Sequence, residues 1–115
     1  MRAPLDETFL ALGDPARLAV IRLLRKKPRR SSDIAEALSL SRPTTSRHLG
    51  VLRKAGLVEE TTSLGDARGR EYRLRAQPFA RMRSWLDEVE AFWGDQLSSF
   101  KAHVEAKSAD PKRAW

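Results

Sequence analysis

The segment Ser41–Leu57 constrains this 115-residue chain more than any other, because it carries a helix signal at both ends and a change of period at its close. Serine caps helix N-termini well, so Ser41 suits a start there, and Pro43 fits the first turn, where no hydrogen bond is lost. Thr45, Leu49 and Leu52 fall at i, i+4 and i+7, which predicts a buried stripe with Arg47, Gly50 and Lys54 roughly opposite. Gly56 fits the left-handed residue that closes a helix, with Leu57 packing back on it. From Leu57 the apolar period drops from helical to two. Residues 57–63 and 70–75 are expected as strands joined by 64–69, with Tyr72 and Leu74 facing inward and Arg73 and Arg75 outward.

Upstream, Asp14-Pro15 predicts another helix start, an N-cap followed by a proline at the first helical position. Leu18, Ile21 and Leu24 then recur on one face, widened by Val20 and Leu23, until Pro28 stops the run. Leu5, Phe9 and Leu12 mark a short first helix over 5–13 that Gly13 ends. A third helix is expected over 31–38 with Ile34, Ala35 and Leu38 on one side, and Leu38-Ser39-Leu40-Ser41 breaks the pattern before the next helix. Downstream of Pro78, Phe79, Leu86, Trp93 and Phe100 stand seven apart, with Met82 and Val89 between them and Trp85, Phe92, Leu97 and Val104 broadening the stripe. This predicts a long helix over 78–104 and a flexible tail over 105–115. The expected fold is mainly α with a small β-hairpin: four helices, two strands and a fifth helix, forming one domain over 1–104.

Charge divides the chain. Residues 1–78 hold 16 Lys and Arg against 9 Asp and Glu, whereas residues 79–115 hold 6 of each, so the whole net charge of +7 sits in the first part. Such asymmetry suits one region that meets a polyanion and another with a different task. The chain has no cysteine, which excludes disulfides, thiolate metal sites and cysteine nucleophiles. No window approaches 18 consecutive apolar residues, and the N-terminus lacks a signal-peptide pattern, so a cytoplasmic location is expected. No glycine-rich phosphate loop, nucleophile-with-base set or paired carboxylates suggest an enzyme, and no cofactor is expected. Asp87, Glu88 and Glu90 read as a solvated helix face.

Two short helices joined by a tight turn, the second capped by serine and free of acids, form the helix-turn-helix pattern, and a hairpin directly behind makes it winged. A major groove about 12 Å wide accepts one α-helix, whose N-terminal side chains reach base edges. The helix over 41–55 would present Arg42, Thr44, Ser46, Arg47 and His48 to double-stranded DNA, and the wing at 64–70 would add Arg68 and Arg70. Arg22, Arg25, Lys26, Lys27, Arg29 and Arg30 form a second basic cluster, either a phosphate-contacting patch or a solvated loop. The last helix carries more aromatic surface than one small neighbour needs. Leu5, Phe9, Phe79, Met82, Leu86, Val89, Trp93 and Phe100 are therefore expected at a homodimer interface. The alternative is a winged-helix module that binds protein or RNA.

Three runs carry a family resemblance: Leu12-Gly13-Asp14-Pro15-Ala16-Arg17, then residues 40–49 (LSRPTTSRHL), then residues 52–58 (LRKAGLV). With the wing residues 69–74 (GREYRL), they resemble the ArsR/SmtB family of winged-helix repressors over roughly residues 5–104. The resemblance implies a homodimeric repressor, or an autorepressor, on an inverted repeat, with Ser41, Arg42, Thr44, Ser46, Arg47 and His48 as DNA-facing positions. Thr45 stands where the family usually has a buried valine. Metal sensors of the family carry a cysteine pair on the third helix or a His/Asp/Glu set on the last. Here the third helix offers Ser31, Ser32 and Asp33, and the last offers His103 and Glu105 at i, i+2, which do not share a face. The chain therefore resembles the metal-independent branch, with no metal site expected and any small-molecule effector unassigned.

Overall fold

The computed structural model of the chain describes residues 3–62 and 69–108. It divides into two compact units, one through Met82 and one from Arg83 onward. The first unit contains α1 (Leu5–Ala11), α2 (Pro15–Lys26), β1 (Arg29–Arg30), α3 (Ser31–Leu38), α4 (Arg42–Lys54), β2 (Val58–Thr62) and β3 (Arg70–Leu74), and α5 (Ala76–Ser108) begins within it.

Local chemistry sets most of these boundaries. Asp14 Oδ1 accepts from the backbone N–H groups of Ala16 at 2.8 Å and Arg17 at 3.2 Å, so two orphan donors of α2 are satisfied. Those N–H groups, Arg17 foremost, hold the Asp14 carboxyl below its usual range. At the other end Lys27 is extended, with φ −169° and ψ 159°. The ring of Pro28 disfavours a helical conformation in the residue before it.

Helices α3 and α4 both close through a left-handed residue. Gly56, at φ +79°, donates to the Arg53 carbonyl at 3.0 Å, and Leu57 N–H reaches the Leu52 carbonyl at 2.9 Å. Ser39, at φ 54°, does the same for α3, donating to Glu36, while Leu40 donates to Ala35 at 2.9 Å. The connection is thus three residues long, Ser39–Ser41.

The core gathers Val20 and Leu24 of α2, Ile34 of α3, Leu49 and Leu52 of α4, then Leu57 and Val58 at the entry to the sheet. Leu18, expected on the buried face of α2, is half out of it, because the face centres on Val20 and Leu24 instead. In α1 the fully buried residues are Thr8 and Ala11, while Leu10 is 72% exposed. Small side chains let α1 approach the end of α4, where Thr8 Oγ1 donates to the Ala55 carbonyl at 3.5 Å. Thr45 is wholly buried, yet its hydroxyl is satisfied by the Ser41 carbonyl at 2.9 Å. A threonine therefore takes the place expected for valine without an orphaned polar group.

The sheet has three antiparallel strands in the order β1-β3-β2, not two. Glu60 faces Tyr72 across β2 and β3, and Arg29 faces Tyr72 across β1 and β3. The extra strand is only two residues long, too short for any period to reveal. The final helix starts at Ala76, two residues before the expected position, with Pro78 in its first turn, where the N–H has no intrahelical partner. It runs to Ser108, so residues 105–108, expected in a flexible tail, form its last turn.

Candidate nucleic-acid interface

The N-terminus of α4 is organised by its own side chains. Ser41 Oγ accepts from the Thr44 backbone N–H at 3.2 Å and donates to Thr44 Oγ1 at 2.8 Å. Thr44 Oγ1 also accepts from Arg47 Nη2 at 3.4 Å. The residues share one helix edge because i, i+3 spacing places them there. The serine cap thus fixes the threonine hydroxyl, which steadies an arginine otherwise free to sample many rotamers. Ser41, Arg42, Ser46 and Arg47 are exposed and Thr44 is half-buried.

His48 is held differently. Its ring is half-buried, and Nδ1 lies 3.4 Å from Nη1 of Arg17, whose Nε donates to the Ala11 carbonyl at 2.5 Å. Sequence reasoning placed His48 among the DNA-facing residues of the helix. It did not find Arg17, which stands 31 positions away and gives no local signal.

The cations along β3 and just beyond it are compensated. Glu60 pairs with Arg53 at 3.7 Å and Arg70 at 3.5 Å, and accepts from the Tyr72 hydroxyl at 2.7 Å. Burial, reinforced by that bond to Glu60, pushes the Tyr72 phenol up to about 12. Glu59 pairs with Arg73 at 2.6 Å and with Arg75 at 3.7 Å. Arg70 therefore sits in β3 with an acidic neighbour, while Arg68 lies outside the described residues. By contrast, α4 contains no acid, and among the described residues neither Arg42 nor Arg47 pairs with a carboxylate. The first turns of α4 therefore carry positive charge that no carboxylate offsets, unlike the arginines of β3.

The residues expected at a subunit interface separate into two groups. Met82 is 5% exposed and part of the core, and Leu5, Phe9 and Phe79 pack half-buried against that core. Met82 is thereby removed from any external face, whereas Leu5, Phe9 and Phe79 keep part of their surface exposed. Leu86, Trp93 and Phe100 are at least half exposed, and Val89 is half-buried. Trp85 and Phe92 are exposed as well, and Phe92 meets Trp93 edge-on with centroids 6.4 Å apart. Among the described residues no three His, Asp or Glu side chains converge as metal ligands, and no helix is long and apolar enough to cross a membrane.

Comparison with known proteins fits this geometry. The family model for bacterial regulatory proteins of the arsR family matches residues 14–60, the span from the α2 cap to β2. The chain is 31% identical over 109 residues to the HTH-type transcriptional regulator Rv2034 of Mycobacterium tuberculosis, covering 95% of each chain. Its fold is similar to that of an ArsR-like transcriptional regulator from Rhodococcus sp. RHA1, with a TM-score of 0.73 at 28% identity over 85% of this chain and 90% of that one. It is also similar to a homodimeric winged helix-turn-helix DNA-binding domain from Mycobacterium bovis, with a TM-score of 0.60 at 26% identity over 76% of this chain and 78% of that one. The chain belongs to the arsR family of bacterial regulatory proteins and is a winged helix-turn-helix transcriptional regulator.

Proposed function

We propose that the protein acts as a cytoplasmic, homodimeric repressor that reads an inverted repeat in double-stranded DNA with the N-terminal half of α4. The carrying observation is the acid-free start of that helix, where Ser41, Thr44 and Arg47 are mutually bonded and Arg42 and Ser46 stand exposed beside them. Arginine is suited to paired hydrogen bonds with guanine, and hydroxyls bond bases or phosphates. Arg68 and Arg70 of the wing contact the backbone without reading sequence. The Mycobacterium bovis neighbour, itself homodimeric and DNA-binding, supports both halves of the reading.

Dimerisation is assigned to α5 through Leu86, Trp93 and Phe100, with Trp85 and Phe92 widening the face. Two α4 helices related by a twofold axis then fall about 34–36 Å apart, in successive major grooves. The regulator works without a metal effector, since it has no thiolate and only two histidines, and it carries out no reaction.

Footprinting the purified chain on the DNA upstream of its own coding sequence tests this reading. Protection of a short inverted repeat, bound at least about 10³ times more tightly than scrambled duplex, is the expected result. Equal binding to both duplexes, or a preference for RNA, would contradict it.

A further inference from the structure

Arg17 joins three elements. It sits in the first turn of α2, donates Nε–H to the Ala11 carbonyl at the end of α1, and reaches His48 of α4 through Nη1. A guanidinium has five N–H donors and no acceptor. Contact between Nη1 and Nδ1 therefore requires a lone pair on Nδ1, and the single proton of the neutral ring must then sit on Nε2. The bond to Ala11 fixes the guanidinium, so the tautomer is imposed by the α1–α2 corner. With Nδ1 occupied, the nitrogen left for an outside partner is the one that carries the proton.

We propose that Arg17 is a positioning residue for DNA recognition: by occupying Nδ1 it leaves Nε2–H of His48 as the donor for a phosphate oxygen of the duplex. This rests on the reading that α4 meets DNA. His48 is half-buried whereas Arg42, Ser46 and Arg47 are exposed. The recessed ring suits the rim of the groove, where phosphates lie, better than the base edges on its floor. A phosphate oxygen is also the stronger acceptor, because its charge assists the bond.

Two measurements test the proposal. In the 15N-labelled protein, long-range proton–nitrogen correlation of the neutral ring should place the proton of His48 on Nε2, with His48→Gln identifying the signal. A proton on Nδ1 overturns the proposal. Fluorescence anisotropy on the duplex protected in the footprint gives the second reading. His48→Asn keeps an oxygen near the Nδ1 position for Arg17 but lacks the distal donor, and should bind about tenfold more weakly. Arg17→Met should lose no more than that, and the double variant should match His48→Asn alone, because Arg17 acts through the ring. Additive losses mean that Arg17 contacts DNA itself, and wild-type affinity in Arg17→Met means that the ring needs no orienting partner. Either result overturns the proposal. Thermal midpoints of each variant separate these outcomes from unfolding. If the wild type itself does not distinguish the footprint duplex from a scrambled one, the parent reading fails instead.

Discussion

Replacing Gly56 with alanine isolates the geometry that ends the recognition helix and launches the wing. Gly56 has φ +79°, and both of its helix-closing bonds depend on that conformation. A Cβ built at this position comes no closer than 3.6 Å to Arg75 Nη1 and 4.0 Å to Pro78 Cγ. Those are ordinary contacts, so nothing has to move aside and the cost arises in the backbone alone. A left-handed conformation costs an L-residue roughly 1–2 kcal/mol. Alanine also restricts the unfolded chain, which returns about 0.4–1 kcal/mol. The difference is about 1 kcal/mol of lost stability, equivalent to a fall of about 5 °C in Tm for a domain of this size. Thermal and urea unfolding followed by circular dichroism should show it, at one fixed protein concentration because the stability of a dimer depends on concentration. A variant as stable as the wild type would refute the left-handed closure. A loss several times larger would refute the claim that the site has room for a methyl group.

Ser39 offers the opposite change: a left-handed residue with a Cβ, so Ser39→Gly should raise stability by up to about 1 kcal/mol in the same unfolding experiment, and a loss would contradict the αL assignment. Tyr72 is the only tyrosine, so phenolate absorbance reports on it alone. Its folded pKa, about 12, lies above the unfolded value near 10, so the stability it contributes is complete below pH 10 and is lost as pH rises toward 12. The titration midpoint should fall to about 10 on denaturation, and Tyr72→Phe should remove this part of the alkaline destabilisation; a native midpoint near 10 would contradict the buried bond to Glu60. Trp93, 57% exposed, is assigned to the dimer, so Trp93→Glu should shift micromolar protein to monomer in sedimentation velocity while helicity is retained. An unchanged dimer would place the interface elsewhere.

Much of the fold was legible because its punctuation is local. The caps at Asp14 and Ser41 and the stop at Gly56 each depend on a few neighbouring residues, and the structure places all three as expected. What escaped the sequence depends on distant partners. The strand Arg29–Arg30 exists only because β3 offers it an edge at Tyr72 and Glu71. Ser39 carries no glycine signal, although its backbone does what Gly56 does. Apolar spacing in α1 pointed to Leu5, Phe9 and Leu12, yet burial fell to Thr8 and Ala11, because the approach to Ala55 selects small side chains. The periodic stripe of α5 is continuous in sequence, and nothing in its spacing marks Met82 as core while Leu86 remains exposed.

The candidate site follows the same division. Arg47 could be placed from helical phase alone and is exposed as that phase requires, Ser46 stands on the flank, and Arg42 shares the phase of the buried stripe but is exposed because it opens the helix. The internal bonding of Ser41, Thr44 and Arg47 follows from i, i+3 spacing once the cap is known. Neither the hold of Arg17 on His48 nor that of Glu60 on Arg70 could be read, since each joins segments that only folding brings together.

Anisotropy titrations of wild type and Arg47→Ala, on the footprint duplex and on a scrambled duplex of equal length, bear most directly on the role of α4. Arg47→Ala should lose about 1–3 kcal/mol on the specific duplex and much less on the scrambled one, so discrimination collapses while non-specific affinity largely persists. Equal losses on both duplexes would reduce Arg47 to a phosphate contact, and no loss on either would move DNA recognition away from α4.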